Sequence, residues 1–231
     1  MGKKQERAVP VIAIDGPSGS GKGTLAALLA ERLGWHLLDS GALYRIVAAV
    51  AIARHVRLDD EAGLAAMADG LEIRFEQDRV WVDGQDLTLT IRTEAVSSGS
   101  SRVAAFPRVR AAILEQQRSM CRSPGLVADG RDMGTVVFPA AQLKIFLDAS
   151  PQSRASRRYN QLKNKGLSVN LRALLASIQE RDERDRGRAV SPLQPATDAI
   201  LIDSTDMSID AVVERVYAKA VARNLARGTQ T

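Results

Sequence analysis

Gly16-Pro-Ser-Gly-Ser-Gly-Lys-Gly-Thr24 is the stretch that decides the fold. The apolar run Val9–Ile14 comes before it, and a helical apolar pattern from Leu25 to Leu33 follows. The order is therefore strand, glycine-rich turn, helix start. Glycines let the backbone turn tightly enough for successive N–H groups to face one anion. The helix N-terminus adds a positive partial charge, and Lys22 adds a full one. Gly16, Pro17, Ser18, Gly19, Ser20, Gly21, Lys22, Gly23 and Thr24 are candidate phosphate-binding residues. The competing reading is a chance glycine-rich turn, which the flanking strand and helix disfavour.

The Gly-x4-Gly-Lys spacing is similar to that of P-loop nucleotide-binding proteins. Lys22 is followed by Gly23, where most such loops place a magnesium-binding Ser or Thr, and Thr24 comes one place later. That departure separates the loop from the commonest switch GTPases and ATPases. It resembles the loop of nucleoside monophosphate kinases.

Composition narrows the class. The 231 residues suit one domain, or one domain carrying an insertion. Apolar residues make up 45% and charged residues 26%, ordinary for a globular protein. No apolar run approaches the roughly 18 residues of a membrane span, so no membrane partner is expected. The basic start Met1–Arg7 precedes an apolar run too short for a signal-peptide core. The single cysteine, Cys121, excludes an intramolecular disulfide and fits a reducing cytosol, so a cytoplasmic location is expected. His36, His55 and Cys121 are poor material for a zinc site. The net charge of +5 permits binding of nucleic acid or of a small polyanion. Aromatics are only 4% and the arginines are scattered over turns and helix ends. A concave phosphate site is favoured over an extended nucleic-acid face.

Along the chain, strands are expected at Val9–Ile14, Trp35–Leu38, Gly125–Ala128, Leu143–Leu147 and Ala199–Ile202. Helices are expected at Lys22–Leu33, Ala42–Arg54, from Pro107 to about Cys121, 151–164, 170–186 and Ser208–Leu225. Asp59 or Asp60 could cap a shorter helix ending near Gly70. Five short apolar strands separated by helices imply an α/β fold with a parallel sheet between helical layers. Between about 62 and 100 the pattern changes. Leu71, Ile73 and Phe75 alternate with charged residues. Val80-Trp-Val82, Asp83-Gly84 and alternating Leu87, Leu89 and Ile91 read as an antiparallel hairpin. This piece reads as an insertion. Ligands of such sheets lie beyond the carboxyl ends of the strands, where Asp15–Gly16, Asp39–Ser40 and Asp129–Arg131 would gather.

Several motifs there carry chemistry. Asp129 ends the apolar Leu126-Val-Ala128, where a P-loop enzyme keeps an acid for Mg2+; a plain turn acid is the alternative. In Asp39-Ser-Gly-Ala-Leu-Tyr-Arg45, Ser40 and Tyr44 share a helix face beside Arg45. The set suits a sugar and a phosphate, or a simple N-cap with a surface arginine. Gly130-Arg-Asp-Met-Gly134 adds Arg131, able to fork onto phosphate, and Asp132, able to accept from an exocyclic amino group as acids do with cytosine N4. Arg154, Arg157 and Arg158 share one helix, and Arg181, Asp182, Arg184, Asp185, Arg186 and Arg188 occupy another and its exit. Most charged helices are solvated faces. The alternative is a set of mobile guanidiniums that close over a transferring phosphoryl group.

These motifs together resemble the bacterial cytidylate kinase family over nearly the whole chain. The resemblance rests on Ile14–Thr24, Leu38–Arg45, Arg102–Arg110, Ala128–Thr135, Lys144–Ala149 and Glu180–Asp185. It implies a P-loop kinase with a five-stranded parallel sheet and a small antiparallel insert in the monophosphate-binding region. The implied division is a core of 8–40, 103–153 and 167–227, a monophosphate-binding region of 41–102 and a lid of 154–166. It implies reversible phosphoryl transfer from ATP, with Mg2+, to CMP or dCMP. ATP would meet residues 16–24, Arg157 and Arg158. Ser40, Tyr44 and Asp185 would contact the pentose, and Ser101, Arg110 and Asp132 the cytosine. Arg45, Arg131, Arg181 and Arg188 would hold phosphate. Lys22, Arg131, Arg181, Arg188 and Asp129 would form the catalytic set, with Mg2+ held through the nucleotide and water rather than by direct protein ligands. A monomer with small-molecule partners and no nucleic acid is expected. A kinase of UMP, AMP or a non-nucleotide, a nucleotide-dependent switch, and a basic nucleic-acid binder are the rivals.

Overall fold

The structure is a computed structural model that describes residues 9–76, 79–164 and 168–226. The basic start, core boundaries 8, 167 and 227, and lid residues 165–166 lie outside the described residues.

Five strands form the parallel sheet. They are β1 (Val11–Asp15), β2 (His36–Asp39), β6 (Leu126–Gly130), β7 (Leu143–Asp148) and β8 (Ile200–Asp203), ordered β2-β6-β1-β7-β8. The central β1 is buried at every position. Its side chains alternate between two cores: Val11 and Ala13 join one, Ile12 and Ile14 the other. This is why an unbroken apolar run, rather than an alternating one, marks a strand covered on both faces.

One face is covered by α1 (Lys22–Leu33) and α8 (Ile209–Ala222), through Leu25, Leu29, Val212 and Val216. The other face is covered by α2 (Ser40–Ala53), α3 (Glu61–Asp69), α4 (Glu94–Val103) and α5 (Pro107–Ser119). Caps set several starts. Asp39 accepts from Ala42 N at 3.0 Å, Asp60 from Gly63 N at 3.0 Å, and Ser208 from Ala211 N at 3.2 Å. The helices α6 (Pro151–Lys163) and α7 (Leu171–Arg186) pair beside the cleft.

The expected antiparallel insert is present, with a shorter hairpin than the alternation suggests. A second sheet of β3 (Ile73–Glu76), β4 (Arg79–Val82) and β5 (Gln85–Asp86) is antiparallel, and its β4–β5 turn is Asp83-Gly84 as expected. Both turn residues have positive φ, 49° and 79°, as a two-residue hairpin needs. The alternation of Leu87, Leu89 and Ile91 does not form a strand. Leu89 is 80% exposed, and Thr90–Arg92 is a 3-10 turn. The short helix α3 is capped by Asp60 and ends at Gly70 as expected, whereas α4 is an added helix within 62–100 that packs on the core. A five-residue π-turn, Met133–Val137, follows β6 and was not foreseen.

Candidate active site

The cleft lies beyond the carboxyl ends of β1, β2 and β6 and encloses about 930 Å3. The loop 16–24 forms one wall. Gly16 is required by clearance: a Cβ there would stand 2.1 Å from the carbonyl oxygen of Leu147. Gly21, at φ 94°, turns the chain into α1. The first amides of α1 have no intrahelical partner and remain available to an anion. The outward carbonyls are pinned. Ser18 O accepts from Arg154 at 3.0 Å, and Ser20 O accepts from Arg157 at 3.1 Å and from the Ser204 hydroxyl at 3.2 Å. With these carbonyls anchored behind the loop, its N–H groups are left to the cleft, apart from Ser20 N, which donates to Pro17 O at 3.5 Å.

Lys22 is buried, donating to Pro17 O at 3.2 Å and lying 3.9 Å from Asp129 Oδ1. Burial, with Arg131 nearby, lowers its pKa. Burial raises that of Asp129, against the pull of Lys22. A phosphate would supply the charge that this desolvated ammonium lacks.

The opposite wall is built by α2, α4, α5, α7 and the β6 exit. Arg45 donates to Asp39 at 2.6 Å, and Gln117 donates to the Ser40 hydroxyl at 2.8 Å. Arg110 pairs closely with Asp132, both buried, and its other arm donates to Ala104 O at 3.1 Å. The Arg110 guanidinium stands 5.5 Å from the Tyr44 ring centroid. Asp185 is the hub of a guanidinium cluster. Arg131 donates to it at 3.0 Å, Arg188 pairs closely with it, and Arg181 lies at 4.0 Å. Burial opposes the Asp185 charge, yet Arg131, Arg188 and Arg181 together hold its carboxyl below the usual range. Burial and Arg131 pull Arg181 down to about 10. Three arginines around one carboxylate leave the cluster positive, which suits a second phosphate.

Of the residues singled out from the sequence, Gly16 and Pro17 do not line the cleft. Gly16 packs behind it, and Pro17 contributes its carbonyl to Lys22. Ser18–Thr24, Ser40, Tyr44, Arg45, Ser101, Arg110, Asp129, Arg131, Asp132, Arg157, Arg158, Arg181, Asp185 and Arg188 all line it. Arg158 also reaches Glu94 at 3.3 Å and Gln161 at 3.0 Å. Arg154 is not a mobile guanidinium. It is 1% exposed, bonded to Ala149 O and Ser18 O, and paired bidentately with the buried Asp182. Asp182 and Asp185 are likewise buried on α7, so the face they share is not a solvated one. The sequence carries no signal for Gln117. It places Asp15 at the ligand end of the sheet and Asp182 on the charged helix, but not the Met133–Gly134 amides or the Arg154 guanidinium that they hold.

Seven buried side-chain polar atoms lack a hydrogen-bond partner among the described residues. Six belong to the cleft: Ser20 Oγ, Tyr44 OH, Ser101 Oγ, Asp129 Oδ1, Arg181 Nε and Arg188 Nε. Such clustering marks a surface shaped for a polar ligand. Mg2+ takes oxygen ligands and is bound through one or two carboxylates plus phosphates. Asp129 Oδ1 fits that requirement, and among the described residues no group of three acidic, His or Cys side chains offers a protein cage. A Cβ at position 23 would lie 3.1 Å from Asp129 Oδ2, so glycine gives this carboxylate its room. Among the described residues, no helix is long and apolar enough to cross a membrane.

Comparison with known proteins agrees with this architecture. A family model described as cytidylate kinase matches residues 12–222. The chain is 59% identical over 215 residues to a cytidylate kinase of Aeromonas hydrophila, covering 91% of this chain and 94% of that protein. It is also 59% identical over 215 residues to a cytidylate kinase of Pseudomonas aeruginosa, covering 90% and 94%. With its P-loop wall, arginine cluster and sheet order in place, the chain belongs to the cytidylate kinase family.

Proposed function

We propose that the protein catalyses reversible transfer of the ATP γ-phosphoryl group to the 5′-phosphate of CMP or dCMP. The observation that carries this reading is a cleft with two cationic walls: Lys22 with the α1 amides on one side, and Arg131, Arg181 and Arg188 around Asp185 on the other. Two anions can face each other there, and phosphoryl transfer needs positioning and charge neutralisation above all.

In this mechanism Lys22 and the loop amides hold the ATP phosphates. Mg2+ would be held by phosphate oxygens, with Asp129 contacting it through water, and would neutralise developing charge. The acceptor is already a phosphate oxygen, so no strong general base is required. Arg131, Arg181 and Arg188 hold the acceptor phosphate and spread the transition-state charge, with Arg45 beside them. Ser40, Tyr44 and Asp185 take the pentose. Ser101, Arg110 and Asp132 take the cytosine, Asp132 accepting from N4–H2 and Arg110 donating to N3 or O2. Arg157 and Arg158 serve ATP. The segment 154–166 acts as lid, anchored at its start by Arg154, and 41–102 as the monophosphate-binding region. Lid closure excludes water, which would otherwise intercept the phosphoryl group. The protein acts as a cytoplasmic monomer on small molecules.

A coupled assay of ADP release with CMP, dCMP, UMP and AMP tests the reading. CMP and dCMP should support turnover far above UMP and AMP. Equal or greater turnover with UMP or AMP would refute the cytidine assignment.

A further inference from the structure

Asp15 belongs to neither wall of the cleft, yet it lies between them, just before the phosphate loop and against the turn that follows Asp132. It ends β1 immediately before the phosphate loop and is 4% exposed. Its register partner on β6 is Gly130. Oδ1 accepts from Met133 N at 2.8 Å, and Oδ2 accepts from Gly134 N at 2.8 Å. These two amides open the π-turn Met133–Val137 and belong to the first turn, where no intrahelical carbonyl can serve them. The residue directly before them is Asp132, whose carboxylate pairs with Arg110. Asp132 itself holds a non-helical backbone, φ −144° and ψ 26°, at the point where strand becomes turn. Its carbonyl accepts from Val136 N at 2.9 Å and Val137 N at 3.2 Å.

We infer that Asp15 is a specificity-determining positioning residue: its two carboxylate oxygens clamp the amides after Asp132 and so fix where the Asp132 carboxylate meets the base. A neutral cap could serve one amide. A carboxylate serves both, and it fixes rotation of the turn as well as its position. The clamp also ties the base-reading segment to the strand that starts the phosphate loop. The separation between the two nucleotide sites is thereby set in the free protein rather than by the ligand. This inference rests on the cytidine-reading role of Asp132 proposed above.

The test compares wild type, Asp15→Asn and Asp132→Asn, with CMP and UMP as acceptors, at pH 8. Burial pushes the Asp15 carboxyl up to about 7, so at this pH it is ionised. An asparagine keeps one acceptor and turns a donor toward the other amide. With Asp15→Asn, the KM for CMP should rise about fivefold or more and the CMP-over-UMP ratio should fall by a similar factor. The KM for ATP should change by less than about twofold. A merely structural contact would move both KM values together, or only the melting temperature; either result overturns the inference. If wild type shows no CMP preference, the reading of Asp132 fails and the inference with it. If Asp132→Asn abolishes the preference while Asp15→Asn retains it, only the Asp15 role fails. Amide hydrogen exchange on wild type decides the matter even if Asp15→Asn does not fold. The Met133 and Gly134 amides should be protected without CMP and gain little when CMP is added. Rapid exchange that slows only with CMP would overturn the inference.

Discussion

Replacing Asp132 by Asn gives the sharpest prediction, because the structure dictates which way the new amide must face. Arg110 donates to Asp132 Oδ2 and is itself buried. An asparagine keeps its oxygen toward that guanidinium, since N–H2 against N–H2 would place donor on donor. Its own N–H2 then faces the base. Cytosine presents N4–H2 as a donor and loses its partner. Uracil presents a carbonyl at the same place and gains one. An unsatisfied buried polar group costs about 1–3 kcal/mol, which at 1.4 kcal/mol per decade is about 5- to 150-fold in discrimination. The assay is steady-state kcat/KM for CMP and UMP at saturating ATP, with a thermal melt alongside. The CMP-over-UMP ratio should fall within that range through a loss with CMP and a gain with UMP. The KM for ATP should stay within about twofold. An unchanged ratio in a folded variant would remove Asp132 from the base site.

Lys22→Ala should lower kcat by about 10²–10³ or more, as loss of a donor aimed at transition-state charge does; near-normal turnover would overturn the phosphate-loop assignment. Arg154→Met should cost about 3–5 kcal/mol by stranding the buried Asp182 charge, about 6–20 °C in Tm. Arg184→Met breaks an exposed pair with Glu180 and should cost at most about 1 kcal/mol; equal losses would mean that Arg154 is no anchor. The Asp15 carboxyl titrates near 7 in the folded chain, raised by burial from its ordinary value of 3.8. The folded chain therefore holds the extra proton between those values, and its stability falls as pH rises through that window. Asp15→Asn removes this slope. The stability advantage of wild type over the variant should shrink from pH 5 to pH 8 in denaturant unfolding, and a difference constant over that window would contradict the burial argument.

Local signals made the kinase core legible. The helix Lys22–Leu33 starts at a left-handed glycine and stops at another, so its ends are written in residue type. The central β1 is an unbroken apolar run because helices cover both faces of the sheet there, whereas Leu37 on β2 and Leu201 on β8 stay exposed at its edges. Tertiary packing decided the rest. The helix α4 contains Ser97-Ser-Gly-Ser-Ser101, a poor helical stretch. It forms because its small residues allow close approach to α2: a Cβ at Gly99 would lie 3.4 Å from Ala48 Cβ and 3.1 Å from Leu58 Cδ1. Leu87 and Leu89 alternate as strand residues do, but pairing with β4 ends at Leu87, whose N–H reaches Val80 O at 2.8 Å, and the chain then turns through Thr90–Arg92. The motif residues of the site could be picked out from phosphate chemistry and family resemblance. The roles of Arg154, Asp182, Gln117 and Asp15 could not, because each depends on a partner at least 28 positions away in the chain.

A crystal structure with a non-hydrolysable ATP analogue and CMP bound together tests the central claim most directly. The account predicts the triphosphate on the amides of residues 18–24 with Lys22 at its outer phosphates, and the CMP phosphate among Arg131, Arg181 and Arg188 with cytosine N4 on Asp132. A triphosphate bound away from that loop, or a pyrimidine lodged outside the Arg110–Asp132 pocket, would contradict it.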